Sequence, residues 1–155
     1  MNVRRLDKAE WDTVRAVRLR ALQESPEAFS SSYEEEADRL DGWWVEGMNG
    51  LAWFVAEEAD DIVGVVAGMP CGDWSEVMTM WVDPEQRGTG VADDLLAGVV
   101  AWAKADGAIG LCLGVAESNH VARRLYERAG FVPSGPGEAL RSRPEVCTTE
   151  MRLSF

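Results

Sequence analysis

The sequence predicts an α+β domain built around one mostly antiparallel sheet, and three observations carry that prediction. Leu51 to Glu57 and Ile62 to Met69 are apolar runs joined by the acidic turn Glu58-Ala59-Asp60-Asp61, which reads as a β-hairpin. Twice further on, an apolar run (Val77 to Val82, then Ile109 to Ala116) leads through a short turn into a segment of helical periodicity. The order of elements is β-α-α-β-β-β-α-β-α-β-β, which runs strands together in the middle and so suits α+β architecture.

Taken in order, Val3 to Leu6 reads as a short first strand. Asp7 with Glu10 forms a capping box for a helix to about Gln23, whose apolar stripe is Trp11, Val14, Val17 and Ala21. Ser25-Pro26 interrupts it, with proline placed for the first turn of a new helical stretch. Ser32 and Glu35 form a second capping box, and Tyr33, Ala37, Leu40 and Trp44 follow at helical spacing. After the hairpin come a strand over 76–82, a helix from Val91 to about Ala105 stopped by Gly107, and a strand over 109–116. A helix over 119–129, a strand over 131–133 and a last strand near Cys147 to Leu153 complete the chain. Ser134 to Pro144, rich in Gly and Pro, reads as a loop. There are no repeats.

The length of 155 residues suits one domain, 1–155, with a sizeable core. The net charge of −12 argues against a nucleic-acid partner, because phosphate backbones demand cationic surfaces. It is compatible with a cationic acceptor, although charges spread along the chain serve solubility first. No run is long enough to span a membrane, and the charged N-terminus lacks an apolar signal region. Cys71, Cys112 and Cys147 are too few and too scattered for a disulfide framework or a zinc site, so no metal is expected. Cys112 reads as a small core hydrophobe, and the setting as a reducing cytoplasm.

The most informative segment is Met80-Trp81-Val82-Asp83-Pro84-Glu85-Gln86-Arg87-Gly88-Thr89-Gly90-Val91-Ala92. Gly88 and Gly90 permit positive φ and leave the backbone bare, so the N–H groups of residues 88–92 can converge at a helix N-terminus, where phosphate binds. A dinucleotide fingerprint fails, because Asp93 stands where its third glycine belongs, and a Walker loop fails because Gly-Lys-Ser/Thr is absent. What remains, Arg87-x-x-Gly90-x-Ala92, resembles the pyrophosphate loop of the GNAT superfamily of N-acetyltransferases. Downstream, Asn119-His120-Val121-Ala122-Arg123-Arg124-Leu125-Tyr126-Glu127-Arg128-Ala129-Gly130-Phe131 is similar to that superfamily's later signature, Asn-x-x-Ala-x-x-Leu-Tyr-x-x-x-Gly-Phe.

The resemblance implies a single mixed sheet with helices on both faces, and a splay between two central parallel strands, 76–82 and 110–116. It implies acetyl-coenzyme A as co-substrate, with Met80, Trp81 and Val82 flanking the pantetheine arm, which would pair as an added strand. Arg87, Gly88, Thr89, Gly90, Val91 and Ala92 would hold the pyrophosphate. Asn119 would reach the pantetheine, and as a helix cap it can hold both roles. The acceptor would be an amine of a small molecule or a peptide, and dimers are frequent in the superfamily.

Acetyl transfer also needs proton handling. An alkyl ammonium with a pKa near ~10.4 arrives protonated and must lose a proton before it can attack. Glu76 matches the position of the general base found in part of the superfamily; the alternative is a charged residue facing solvent at a strand entrance. Alternation places it on one face with Met78 and Met80 in the absence of a bulge. Tyr126 matches the tyrosine that protonates the leaving sulfur; the alternative is a core aromatic that packs the helix over 119–129 on the sheet. The oxyanion could be held by a main-chain N–H near Met80. Asp93 and Asp94 would repel a pyrophosphate, offset in part by Arg87. His120 and the Glu34-Glu35-Glu36 run read as solvated, and Trp43, Trp44 and Trp74 could border an acceptor pocket. Two other functions fit the same motifs: a non-catalytic acyl-coenzyme A sensor, which would need neither Glu76 nor Tyr126, and a protein N-terminal or lysine acetyltransferase.

Overall fold

A computed structural model describes residues 1–141 and 143–155. Seven strands form one sheet in the order β1-β2-β3-β4-β5-β7-β6. They are β1 (Asn2–Arg5), β2 (Ala52–Glu58), β3 (Asp61–Cys71), β4 (Trp74–Val82), β5 (Gly110–Ala116), β6 (Val132–Pro136) and β7 (Thr148–Ser154). Among the described residues, only β4 and β5 run parallel. Helices α1 (Trp11–Glu24), α2 (Tyr33–Ala37) and α3 (Asp41–Glu46) cover one face; α4 (Val91–Ala105) and α5 (His120–Arg128) cover the other.

The local signals account for most of this. The β2–β3 turn is two residues, Ala59 and Asp60, both at positive φ, and that twist matches a hairpin. The Asp7–Glu10 capping box forms, with the Asp7 side chain accepting from the Ala9 N–H at 3.2 Å and the Glu10 carboxylate from the Asp7 N–H at 3.0 Å. It closes a 3-10 turn over Lys8–Glu10, which then leads into α1. Val14, Val17, Ala21 and Leu22 of α1 are buried with Trp44, Trp53, Val55, Val65 and Trp81. The opposite core joins α4 and α5 to the sheet through Leu95, Leu96, Val99, Leu111, Leu113, Phe131 and Met151.

Five expectations are corrected. The proline at 26 starts only a 3-10 turn, Pro26–Ala28. The helix expected to run from Tyr33 through Trp44 is two short helices, broken at 38–40, with Leu40 83% exposed. Ser32 caps α2 through the Glu35 N–H at 3.2 Å, but the Glu35 carboxylate does not return to Ser32, bonding Ser31 and Arg141 instead. The inward-facing residue of α2 is Glu36, 3% exposed, so the acidic run is not a uniformly solvated face. A buried carboxylate needs a buried cation, and Arg18 of α1 supplies it. Finally, the segment after Phe131 pairs as far as Pro136, which shortens the expected loop; Ser142 within that loop lies outside the described residues.

Gly110 opens β5 where a Cβ would stand 2.3 Å from the Trp74 ring and 2.5 Å from the Leu153 carbonyl oxygen. Gly110→Ala is therefore expected to cost about 1–3 kcal/mol, read as a lower urea midpoint at unchanged m-value.

Candidate active site

β4 and β5 pair at only two positions, Ser75 with Leu111 and Glu76 with Cys112. Beyond that rung both strands continue, β4 to Val82 and β5 to Ala116, with no ladder between them. Each remains paired on its outer side, β4 to β3 and β5 to β7. The two inner edges therefore open as a wedge of main-chain groups, the kind of edge that an extended ligand can pair with.

β4 does not run straight along the wedge. Its register against β3 shifts so that Thr79 and Met80 together oppose Val66, and Thr79 has φ +54°. This β-bulge reverses the expected alternation. Glu76 and Met78, opposite Met69 and Ala67, face the α1 side of the sheet, whereas Met80 packs into the α4-side core. Trp81 then returns to the α1 side, 4% exposed, with its indole N–H donating to Glu24 at 3.0 Å. Its side chain is thus committed to the core. Val82 is buried toward α4, and its carbonyl oxygen accepts from Arg87 Nε at 3.0 Å.

The turn after β4 leaves a row of free donors. Gly88 and Gly90 adopt φ +79° and +89°, and Gly90 caps α4 with no side-chain hydrogen bond. The first helical bond is from the Asp94 N–H to the Gly90 carbonyl, and the N–H groups of residues 88–93 make no hydrogen bond among the described residues. Unpaired amides at a helix N-terminus suit an anion, so Gly88, Thr89, Gly90, Val91 and Ala92 fit a pyrophosphate. Arg87 is different: its guanidinium turns back to Glu24 at 2.5 Å and Ser25 at 3.4 Å. It shapes the turn from behind. The Asp93 carboxylate is paired with Arg128 at 3.2 Å, which offsets the repulsion expected of it.

Asn119 caps α5, its Oδ1 accepting from the Ala122 N–H at 3.1 Å. Tyr126 lies in the α4-side core, 6% exposed, edge-on to Phe131 at 5.8 Å. Burial pushes its phenol up to about 12. On the other face, Glu76 is half-buried and its carboxylate has no ion pair or hydrogen bond among the described residues. Burial, then the nearby charges of Glu138 and Glu150, raise its carboxyl above the usual range. Beside it across the parallel rung, the Cys112 thiol is half-buried and is raised by burial and by Glu76 and Glu150. Cys112 is thus part of this polar face, a correction to its reading as core.

His120 is exposed in the first turn of α5. Trp44 is buried, Trp43 is exposed, and Trp74 stacks against Arg152 at 4.8 Å. A 430 Å³ surface cleft between α4 and α5 and a 440 Å³ cleft under the β6–β7 connection contain neither Glu76 nor Tyr126. The residues that sequence reasoning missed, Glu24, Glu138 and Glu150, act across distances in the chain that no local pattern signals.

A sheet that opens between β4 and β5, the parallel pair among the described strands, with a bare helix N-terminus beyond β4, suits a transferase that takes an extended, anionic donor. The chain belongs to the acetyltransferase (GNAT) family, whose profile matches residues 18–131. It is 33% identical over 123 residues to a mycothiol acetyltransferase of Thermobispora bispora, covering 75% of this chain and 41% of that protein. The chain thus spans about two-fifths of that relative's length. It is also 30% identical over 115 residues to a Bacillus subtilis protein provisionally named a ribosomal protein bS18-alanine N-acetyltransferase, covering 66% of this chain and 74% of that one. A Salmonella typhimurium protein described as an acetyltransferase and solved with its cofactor acetyl-CoA shares the fold, with a TM-score of 0.76 at 21% identity over 99% of this chain and 93% of that one. No helix among the described residues is long and apolar enough to cross a membrane.

The electrostatics of Glu76 can be tested directly. Because the Glu138 charge holds its carboxyl up, Glu138→Gln is expected to lower the Glu76 pKa, as followed by carboxylate-carbon NMR titration; an unmoved titration would detach Glu138 from the site.

Proposed function

We propose that the protein transfers the acetyl group of acetyl-coenzyme A to a primary amine by direct attack in a ternary complex. The observation that carries this reading is Glu76, a carboxylate without an ion pair among the described residues, raised in pKa, at the last rung before β4 and β5 part. A base must be strong enough to take a proton yet ionised at working pH, and a raised carboxyl approaches that compromise. Bound acetyl-coenzyme A would supply an activated thioester carbonyl. The amides of residues 88–92 would hold its diphosphate, and the main chain of Met80 to Val82 would flank its arm.

Glu76, through a water, takes one proton from the acceptor ammonium, and the freed nitrogen lone pair forms the C–N bond as the C–S bond breaks. The second nitrogen proton leaves to solvent. Tyr126 faces a departing thiolate whose conjugate acid has a pKa of roughly 8.5. Full transfer from a phenol near 12 would be uphill by ~5 kcal/mol on the solution scale. Tyr126 therefore serves as a hydrogen-bond donor to the sulfur as charge builds. Cys112, held as a neutral thiol, is a poor nucleophile, which supports direct attack over an acyl-enzyme.

The carboxylates of Glu76, Glu138 and Glu150 favour a cationic acceptor. The name of the Bacillus relative supports a peptide α-amine as one acceptor class beside small-molecule amines. An acceptor panel containing polyamines, aminoglycosides, amino acids and alanine-initiated peptides, followed by free-thiol release, separates them; release with none of these would favour a binding module instead.

Three mutational outcomes are expected. Tyr126→Phe should lower kcat about 10- to 100-fold with little change in acetyl-coenzyme A affinity, the worth of one hydrogen bond to a developing charge. Glu76→Gln should lower kcat/KM by about 100-fold or more and remove the acid limb of its pH profile, which in the wild type lies above the ordinary carboxylate range because the group must be ionised to act. Gly90→Ala, which forces an L-residue into φ +89°, should weaken acetyl-coenzyme A binding about 5- to 30-fold by calorimetry, from roughly 1–2 kcal/mol of backbone strain.

A further inference from the structure

The Thr79 bulge is held from outside the sheet. Arg18 of α1 and Glu36 of α2 form a bidentate pair, Nε to Oε1 and Nη2 to Oε2, both at 2.9 Å. Their side chains are 16% and 4% exposed. The remaining terminal nitrogen, Nη1, donates to Thr79 Oγ1 at 2.8 Å, and the guanidinium lies 4.8 Å from the centre of the Phe29 ring. One planar fork thus joins α1, α2 and β4, a geometry that lysine could not reproduce.

A β-branched residue at φ +54° is costly, about 1–3 kcal/mol, and persists only where its surroundings hold it. A buried ion pair is a poor source of net stability, since apolar replacements of similar volume are often neutral or stabilising. What the pair does supply is direction. Glu36 fixes the guanidinium plane, and that plane aims one N–H at Thr79. Thr79 sits three residues beyond the last β4–β5 rung, next to the main chain that borders the wedge.

We propose that Arg18, oriented by Glu36, is a positioning residue that holds the β4 bulge in its left-handed conformation and thereby sets the main chain of residues 79–81 for acetyl transfer. The effect on transfer rests on the acetyltransferase reading; the hold on the bulge does not.

Thr79→Val removes the acceptor hydroxyl but keeps the strain, and Thr79→Gly removes both, since glycine adopts positive φ freely. The expected result for Thr79→Val is a kcat lower by tenfold or more, a KM for acetyl-coenzyme A within twofold of wild type, and amide exchange at residues 78–81 faster by tenfold or more. Thr79→Gly should keep kcat within threefold of wild type despite lacking the hydroxyl. Arg18→Met/Glu36→Leu, which leaves no unpaired buried charge, should match Thr79→Val at undiminished Tm, and adding Thr79→Gly should recover its kcat. Wild-type exchange and kcat in Thr79→Val would overturn the inference. So would a Thr79→Gly enzyme as impaired as Thr79→Val, or a double variant that loses Tm alone. Exchange is read on the protein without substrate, so a wild type that transfers no acetyl group sinks the reading above while exchange still decides this one.

Discussion

Two parallel strands that pair at two rungs and then part leave each other's inner main-chain edge without a sheet partner. Such an edge is unstable in water-poor surroundings unless each strand is held from elsewhere. β5 is held by a full antiparallel ladder to β7 over all seven of its residues. β4 has a bulged ladder to β3, and much of its remaining support comes from α1. Arg18 reaches Thr79, Arg20 bonds Asp83 and the Ile62 carbonyl, and Glu24 accepts from Trp81 and Arg87. Three polar side chains of one helix thus brace the strand from its bulge to the turn beyond it. The wedge, the bulge and the amide-bearing turn all depend on that brace.

The brace also explains an asymmetry in charge. Burial alone would raise the Glu24 carboxyl, but donors from Ser25, Trp81 and Arg87 outweigh it and hold it low. Glu76 is more deeply buried, has no such donors among the described residues, and moves the opposite way. One carboxylate is therefore a structural acceptor held low, and the other is raised and has no donor among the described residues. The difference lies in burial and in partners, since both are glutamates in the same fold.

The two faces of the sheet divide the chemistry. Tyr126 belongs to the α4 side, and Glu76 with Cys112 to the α1 side, so the two candidate proton-handling groups lie on opposite faces of the sheet. A thioester threaded between the strands would meet an acceptor from one face and a hydrogen-bond donor for its sulfur from the other.

The order of the seven strands, a hairpin turn within Glu58 to Asp61, the bare helix start at Gly90 and the cap at Asn119 were legible in the sequence. Each is decided by a few neighbouring residues: a positive φ, a short side chain, a period of apolar positions. The break between α2 and α3, the burial of Glu36, the inward turn of Arg87 and the bulge that sends Met80 away from Glu76 were not. Arg18 meets Glu36 across 18 residues and Thr79 across 61, and Arg87 meets Glu24 across 63. The sequence by itself determined most of the helix and strand segments and the glycine turn before α4, because those choices cost or gain free energy locally. Only the tertiary structure decided which carboxylates are satisfied and which face each strand residue takes, because desolvation and register depend on partners that folding alone brings near.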